Sequence, residues 1–417
     1  MPKFLIVEDS SVILKILKHI ARQELPFEVI YAMNMAEALE LYETHRHELV
    51  AGLIDLALPD APDGQLVDYL LEQGLPVVVL TGTSDEQTRQ SLLQKGVADY
   101  VIKETRFSYQ YAIQMLHRLD KNRQVDVLVV EDSRTYRNYL VGLLGLHRYR
   151  VHQAEDGVQA LQILHQKPGI QLVISDYHMP NMDGFELVQA IRHQFEKRNI
   201  AVIGLSGQED ASLSVKFIKN GANDFLTKPF QQEEFFCRVT NNIESLENME
   251  KLHHQATRDY LTGLYNRRYF TEEAEQQLHK CQREGTPVSL VVLDIDFFKS
   301  INDEYGHLAG DQVLQQMAQY FDDGLGRFLV ARTGGEEFSV LLSGLDNEKA
   351  VSLMNGFRQG VQERIFEIPE DFVRITVSAG VSTLTDTPLS LEQLFTRADE
   401  HLYRAKEAGR NLIMGDE

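Results

Sequence analysis

The sequence has few cysteines, a shortage of basic residues and no long apolar run. Its two cysteines, Cys237 and Cys281, lie far apart, which excludes a disulfide framework and indicates a reducing compartment. Because 62 acidic residues outweigh 41 basic ones, we expect no nucleic-acid partner, which would need clustered Lys and Arg. The apolar runs fall far short of the ~18 residues of a membrane-spanning helix, and the N-terminus lacks a signal-peptide pattern. We therefore expect a cytoplasmic protein without a membrane partner.

What the sequence has instead is an internal repeat. The phrase Phe4–Ser10 (FLIVEDS) returns almost unchanged as Val127–Ser133 (VLVVEDS). Later motifs return in the same order: an aspartate after one apolar run, a Thr or Ser after the next, and a lysine after the last. The period is too long for a solenoid unit, so each copy is predicted to be a complete domain. At roughly 150 residues per domain, the 417 residues leave room for a third.

Short apolar runs alternate with helical patterns in both copies. Buried strands separated by amphipathic helices indicate a parallel sheet that is covered on both faces. Each copy is therefore predicted to be α/β, with a doubly wound, flavodoxin-like sheet whose ligand site lies at the carboxyl ends of the strands. The helices are predicted at Val12–Ala21, Met35–Thr44, Thr135–Leu144 and Gly157–His165.

Polar residues follow the strands of each copy and would meet at that edge of the sheet. Carboxylates with a backbone carbonyl can hold an octahedral Mg²⁺, which would neutralise an incoming phosphoryl group. One aspartate could attack this group, while a lysine pairs with its oxygens and a hydroxyl donates to it. The candidates are Glu8, Asp9, Asp55, Thr81 and Lys103 in the first copy and Glu131, Asp132, Asp176, Ser206 and Lys228 in the second.

This set resembles the receiver domain of two-component response regulators, from end to end in both copies. The resemblance implies that an upstream histidine kinase or phosphotransfer protein phosphorylates Asp55 and Asp176. The first copy departs from the family pattern at Glu104, where the second copy has Pro229. A degenerate receiver that only docks a partner is the alternative, chiefly for the first copy.

The same resemblance extends to the metal and to the switch residues. The implied metal is Mg²⁺, with Mn²⁺ as the alternative, and the carbonyls of Ala57 and His178 would complete the two sites. The implied switch residues are Thr81, Tyr100 and Lys103 in the first copy and Ser206, Phe225 and Lys228 in the second.

A long helix is predicted to leave the second copy. From Gln231 to about His254 there is no Gly or Pro, and apolar residues recur every three or four positions. Their register drifts too much to predict a coiled coil. The predicted domains are residues 1–122 and 123–245, joined through a helical linker, 231–258, to a third domain, 259–417.

The third domain shows a different, α+β pattern with acids at a turn. The segment Thr333–Phe338 (TGGEEF) is predicted to be a hairpin turn whose glycines let a ligand approach the backbone. Its adjacent acids, Glu336 and Glu337, would repel each other unless a cation lies near them. Asp294, at the end of another strand, offers a further metal ligand. Strands are predicted at Val288–Asp294, Phe328–Arg332, Phe338–Leu342 and Arg374–Val381.

These phrases, with Asp259–Arg268, Asp294–Lys299 and Ala398–Asn411, resemble the GGDEF family of diguanylate cyclases. The resemblance covers about residues 255–415, and the order of the three domains resembles that of PleD-type regulators. It implies a nucleotidyl cyclase-like fold and an enzyme that condenses two GTP into cyclic di-GMP and pyrophosphate. Since each domain would hold one GTP, the active form would be a homodimer.

The GGDEF resemblance also implies the roles of individual residues. Asp294, Glu336 and Glu337 would be catalytic and would ligate metal, helped by the Ile295 carbonyl. The implied GTP contacts are Phe297, Phe298, Lys299, Asn302, Asp311, Gly335, Lys406 and Arg410. Asn302 and Asp311 would bind guanine, because a carboxylate accepts from its N–H groups and an amide both donates and accepts.

Two other functions compete with a phosphorylation-controlled cyclase. A catalytically silent nucleotide-binding or docking module is disfavoured by the complete Gly334–Phe338 phrase. A DNA-binding regulator is disfavoured because the last third of the chain has no basic recognition helix.

Many relatives also carry an Arg-x-x-Asp product-inhibition site just before the hairpin. Those two positions hold Leu325 and Phe328 here, so we expect no product inhibition through that site.

Overall fold

The computed structural model describes residues 2–83, 85–195, 199–207, 211–384 and 389–416. The chain divides into two compact units, Met1–Met249 and Glu250–Glu417. The first unit contains both repeats, and the second contains the third domain. None of the helices that these residues form has the length and apolarity of a membrane span.

The first repeat is a five-stranded sheet with helices on both faces. Its strands are all parallel and lie in the order β2-β1-β3-β4-β5. Separate apolar clusters fill the two faces of this sheet. The elements are β1 Lys3–Val7, α1 Ser11–Glu24, β2 Glu28–Ala32, α2 Met35–His45, β3 Leu49–Asp55, α3 Gln65–Glu72, β4 Val77–Thr81, α4 Glu86–Lys95, β5 Asp99–Ile102 and α5 Arg106–Lys121.

The second repeat has the same plan, with its sheet in the order β7-β6-β8-β9-β10. The α/β fold predicted for both copies is thereby confirmed. Its elements are β6 Asp126–Val130, α6 Arg134–Leu146, β7 Arg150–Ala154, α7 Gly157–Gln166, β8 Ile170–Asp176, α8 Gly184–Gln194, β9 Ala201–Gly207, α9 Ala211–Lys219, β10 Asp224–Lys228 and α10 Gln232–Thr257.

In each copy, the serine of the repeated phrase starts a helix directly after the first strand. Ser10 and Ser133 are N-caps, and their hydroxyls accept hydrogen bonds from the backbone amides of Ile13 and Tyr136. A serine cap satisfies one of the free amides at a helix start. Each helix therefore begins directly after its acid pair, which stays at the edge of the sheet.

Within the first unit, the two repeats contact each other directly. Arg118 of α5 pairs with Glu247 of α10 at 2.8 Å, and Arg89 of α4 pairs with Glu233 at 2.6 Å. His147, which follows α6, lies 2.7 Å through Nε2 from the carbonyl oxygen of Ala98. The interface therefore combines ion pairs with a bond to the main chain of the first repeat.

The third domain is built on a mixed sheet in the order β11-β13-β14-β12-β17-β18. Strand β12 pairs antiparallel with both β14 and β17, and it is completely buried. The elements are β11 Tyr265–Asn266, α11 Arg267–Glu284, β12 Val288–Ile295, α12 Phe298–Tyr305, α13 His307–Leu325, β13 Leu329–Arg332, β14 Glu337–Ser343, α14 Asn347–Glu363, β15 Phe366–Ile368, β16 Asp371–Val373, β17 Val377–Thr383, α15 Leu391–Glu407 and β18 Ile413–Met414.

One strand of this domain begins later than its apolar pattern predicts. The sequence predicts a strand at Arg374–Val381, whereas β17 begins at Val377. The hydroxyl of Thr376 donates to the buried carboxylate of Asp296, and the carbonyl of Thr376 accepts from the Asp296 amide. These local hydrogen bonds occupy the hydroxyl and the carbonyl of Thr376 just before the strand. An apolar pattern in the sequence does not reveal such bonds.

Candidate functional site

The first acid pocket lies where β1, β3 and β5 end. Lys103 Nζ lies 2.6 Å from Asp55 and 2.8 Å from Glu8, both of which are buried. Asp9 completes the cluster from an exposed position. The Ala57 amide donates to Asp55 at 3.3 Å, which brings the loop after β3 to the pocket.

The second acid pocket repeats this arrangement at the ends of β6, β8 and β10. Lys228 Nζ lies 2.7 Å from Glu131 and 2.7 Å from Asp176. The His178 amide donates to Asp176 at 3.2 Å, and Asp132 is the exposed member of the cluster. The lysine thus makes the same pair of contacts in both repeats, despite Glu104 in the first and a cis Lys228–Pro229 peptide in the second.

Burial governs the charge of these pockets. It raises the pKa values of Glu8 and Asp55, against the opposing hydrogen bonds of Lys103. It also raises the pKa of Glu131, against Lys228. For Lys103 itself burial acts downward, but the bonds to Asp55 and Glu8 outweigh it and raise its pKa. A bound cation would therefore relieve crowded and partly desolvated carboxylates.

The two clusters fit a divalent cation. In the part of the chain that the structure describes, two sets of three acids bring ligand atoms within 4.8 Å of one another, and each set lies in one of these pockets. Clustered carboxylate oxygens are the donors that Mg²⁺ and Mn²⁺ prefer. The predicted carbonyl ligands, on Ala57 and His178, belong to residues whose amides already bond the central aspartates.

The switch candidates lie on the neighbouring strands. Thr81 ends β4 and is 2% exposed; its Oγ1 accepts a 3.1 Å hydrogen bond from the Thr83 amide. Ser206 is likewise buried in β9. Tyr100 packs on the core of the first repeat, and Phe225 contacts Phe217 with ring centroids 5.6 Å apart.

In the third domain, the hairpin between β13 and β14 faces the end of β12. Asp294 is the cross-strand partner of Glu337, and the Ile295 amide donates to the carbonyl of Glu336 at 3.3 Å. Asp294 is buried, Glu336 is half-buried and Glu337 is exposed. The three acids predicted to act together are therefore close neighbours at one end of the sheet.

Lys406 is the charge partner of this acidic group. Its Nζ lies 2.9 Å from Asp294. Burial raises the pKa of Asp294 against the opposing effect of Lys406, and the charges of Glu336 and Glu337 raise it further. A site with this balance can accept added positive charge.

The guanine candidates come from two packed helices. Asn302 lies in α12 and Asp311 in α13, and the Asn302 side chain lies against Gly310, where a Cβ would displace it. Glycine at 310 therefore leaves room for the Asn302 side chain in this position. The remaining candidates, Lys299, Gly335 and Arg410, are exposed, and the Arg410 guanidinium lies 4.6 Å from the centre of the Phe297 ring.

Phe297 also has an unusual backbone. It stands at the start of α12 with φ 57°, a left-handed conformation that is rare for a residue with a bulky side chain. Phe298 beside it is buried in the core. The turn leaves the first amides of α12 without a side-chain cap, as an anion-binding helix start requires.

Two residues support the site that the sequence did not single out for this purpose. Arg332 donates through Nε and Nη2 to the carbonyl of Gly335, at 2.9 and 2.7 Å, and its Nη1 donates to Asp259 at 3.1 Å. Asp296 accepts hydrogen bonds from Ser378, Thr376 and the Asn411 amide. Only its adjacency to Asp294 could have drawn attention to Asp296.

A third residue near the hairpin is Asp399 of α15. Burial raises its pKa, and the charge of Glu337 adds to the effect, whereas Arg267 opposes it. Asp399 belongs to the Ala398–Asn411 phrase, but the sequence alone assigns no role to it.

The Arg-x-x-Asp positions are occupied by apolar side chains. Leu325 is 1% exposed and belongs to the core of the third domain. Phe328 is half-buried under the guanidinium of Arg327, 4.6 Å from its ring centre.

Comparison with known proteins agrees with this geometry. The family model of the diguanylate cyclase GGDEF domain matches residues 256–412, and that of the response regulator receiver domain matches residues 4–110 and 127–240. Response regulator PleD of Caulobacter vibrioides (strain NA1000 / CB15N) is 28% identical over 458 residues, which span 99% of each chain. Two solved two-component response regulator/GGDEF domain proteins are 44% identical over 59% of this chain and 100% of theirs, with TM-scores of 0.56 and 0.55.

The chain belongs to the response regulators that carry a GGDEF diguanylate cyclase domain. The family predicted from the sequence motifs is confirmed, as is the order of two receivers followed by a cyclase domain. In this response regulator the first repeat is receiver 1, the second is receiver 2, and the third domain is the cyclase domain. The roles of the individual site residues stay predictions.

Proposed function

We propose that this response regulator makes cyclic di-GMP from two GTP under the control of receiver phosphorylation, and that it acts as a homodimer. The observation that carries the proposal is the buried Asp294 opposite the Glu336–Glu337 hairpin, with Lys406 at 2.9 Å. One cyclase domain offers one such site, whereas the product joins two GTP molecules. Two domains must therefore meet across their sites.

Residues of the cyclase domain would bind the metal, the triphosphate and the guanine base. Asp294, Glu336, Glu337 and the Ile295 carbonyl would hold a divalent metal, Mg²⁺ or Mn²⁺. When bound, such a metal would lower the pKa of the attacking hydroxyl and neutralise the leaving pyrophosphate. Lys299, Lys406 and Arg410, with Gly335 and the amides near Phe297 and Phe298, would bind the triphosphate, and Asn302 and Asp311 would bind guanine.

The receivers would supply the control. Asp55 and Asp176 would accept a phosphoryl group from an upstream kinase or phosphotransfer protein, beside metals held by the flanking acids. Helix α10 would carry the change onward, since it runs unbroken from receiver 2 into the cyclase domain. Phosphorylation must then favour the arrangement in which two cyclase domains face each other.

A turnover assay tests the catalytic part of the proposal. The full chain is incubated with GTP and Mg²⁺, with and without beryllofluoride, and the products are separated by chromatography. We expect cyclic di-GMP and pyrophosphate, at a higher rate with beryllofluoride. Glu336→Ala should lower the rate by about 100-fold or more, because a metal ligand contributes several kcal/mol. Glu363→Ala, an exposed acid at the end of α14, is the matched control. Equal rates in the two variants would refute the catalytic assignment.

Mass spectrometry after acyl-phosphate treatment tests the control by phosphorylation. We expect label on Asp176, and on Asp55 with different kinetics. Label on neither aspartate would show that the receivers only dock a partner.

A further inference from the structure

A cavity of about 250 Å³ with a mixed polar and apolar lining lies between the two receivers, and its lining residues differ from those of the two acid pockets and of the cyclase site. Both receivers line it: Asp99 and Arg118 come from receiver 1, and His147, Glu233 and Glu244 come from receiver 2. At about 30 Å³ per water, it has room for several waters or one small molecule.

His147 is the most informative group in this cavity. It is 1% exposed, and its ring stacks on Phe236 with centroids 3.5 Å apart and an angle of 8°. Because the Ala98 carbonyl 2.7 Å from Nε2 can only accept, Nε2 must carry the hydrogen. Burial lowers the pKa of His147 to about 4, so Nδ1 is a free acceptor at neutral pH. This atom has no hydrogen-bond partner among the residues that the structure describes.

Two neighbouring residues on α10 also have a buried polar atom without a hydrogen-bond partner among the described residues. Glu233 bonds Arg89 through Oε1, but its buried Oε2 has no partner within the described chain, and the same holds for Nε2 of Gln232. A buried polar atom without a partner costs roughly 1–3 kcal/mol. Three such atoms around one cavity indicate that an occupant satisfies them.

The charges of the lining define the chemistry of this occupant. Two of the three atoms are acceptors, so the occupant must mainly donate. The lining holds the acids Asp99, Glu233 and Glu244. Its basic group, Arg118, also has an atom without a hydrogen bond within the described chain, Nη2, but this atom lies 2.8 Å from Glu247, which neutralises its charge. A cation with N–H donors is therefore favoured over an anion or an apolar molecule.

We propose that the cavity between the receivers binds a small organic cation of the alkylammonium or guanidinium class, which donates to Nδ1 of His147 and Oε2 of Glu233. An oxygen of the ligand or of a water accepts from Gln232. The ligand enters along α10, where the lining residues Cys237, Asn241 and Glu244 are exposed on successive turns.

Calorimetric titration of the full chain, without GTP, tests the proposal independently of the cyclase reaction. Methylguanidinium is compared with the neutral methylurea, and ethanolammonium with ethylene glycol. The two molecules of each pair are similar in size and differ in charge. We expect one cation per chain, bound at least tenfold more tightly than its neutral counterpart. Failure of both cations to bind at millimolar concentration would overturn the proposal, and so would equal binding of the neutral molecules.

Two variants locate the binding. His147→Phe keeps a ring for the stack but removes Nδ1, and Glu233→Gln keeps the shape but removes the charge. Each should weaken cation binding at least tenfold. Glu86→Gln is the matched control, because it removes the other acid paired with Arg89 but lies outside the cavity lining. Thermal unfolding is recorded for every variant, and if His147→Phe fails to fold, Glu233→Gln decides. Unchanged binding in the folded variants would place the cation elsewhere and refute the site.

Discussion

Two buried aspartates of the cyclase domain have different roles although they are close in sequence. Asp294 and Asp296 are two residues apart and both are buried. Asp294 faces the acidic hairpin and pairs only with Lys406 among the described residues, whereas Asp296 accepts bonds from two hydroxyls and a backbone amide. The first carboxylate is available for chemistry. The second holds β17 and the Arg410 loop in place.

The guanine contact leads to a prediction for one residue. Asp311→Ala should reduce the preference for GTP over ATP by about 10–100-fold, because a hydrogen bond to a charged group contributes roughly 1.5–3 kcal/mol. The measurement is kcat/KM for both nucleotides. Asp303→Ala, an exposed acid on α12, is the control and should keep the parent preference. An unchanged preference in Asp311→Ala would show that another residue contacts the base.

His147 leads to a prediction about pH. It is neutral in the folded protein and titrates near pH 4, from an ordinary 6.5. The unfolded chain therefore binds the extra proton first, and stability falls as the pH drops from about 6.5 to about 4, by up to about 3 kcal/mol. Hydrogen exchange of the β5 amides, corrected for the intrinsic rate, measures this change. The slope should be smaller in His147→Phe by this amount, because other buried groups, such as Asp99 with its raised pKa, keep their own contributions in both proteins. The same slope in both proteins would contradict the buried neutral histidine.

At the scale of elements, the connection between the receivers and the cyclase domain is one helix. Helix α10 has 26 residues, and its N-terminal part, up to Leu246, packs on the core of receiver 2 through Phe235, Phe236, Val239, Ile243 and Leu246. Glu250, further along, is exposed. The side chain at this position can therefore be changed without removing a core contact.

Glu250→Pro uses this position to test signal transfer. Proline removes a helical hydrogen bond and clashes with the preceding turn, at a cost of about 3 kcal/mol or more. We expect the variant to lose the stimulation of cyclase activity by beryllofluoride, whereas Glu250→Ala keeps it. Turnover is measured with and without beryllofluoride in each variant. Full stimulation of the proline variant would mean that α10 does not need to be continuous.

The sequence predicted the elements and the acid pockets but not the contacts between them. Acids and lysines that follow buried parallel strands must meet at one sheet edge, so Glu8, Asp55 and Lys103 were predictable. Asp296 and Arg332 were not, because their partners are fixed by strand register and loop path. His147 was also missed, since a buried histidine between two domains has the same local pattern as one at a helix end.

At the scale of the whole molecule, the residues just before the hairpin bear on control by the reaction product. The Arg-x-x-Asp positions hold the buried Leu325 and the half-buried Phe328, which provide neither a guanidinium fork nor a carboxylate. We therefore expect added cyclic di-GMP to inhibit initial rates only by competing with GTP. Rates measured over a grid of both concentrations decide this. Noncompetitive inhibition that a Leu325/Phe328 double substitution relieves would contradict it.

The two sides of the interface between the receivers depend on the amino-acid sequence to different degrees. His147 and Arg148, from receiver 2, reach the main-chain carbonyls of Ala98 and Val50 in receiver 1. Every amino acid supplies a carbonyl, so the receiver 1 side of these bonds survives any substitution that fits the space. The receiver 2 side depends on two particular side chains. Val50 and Ala98 are buried in the core of receiver 1, so random mutagenesis scored for a joined receiver pair should tolerate apolar residues of similar size at 50 and 98 but very few residues at 147 and 148. The two copies would then accept substitutions at different rates along their shared boundary.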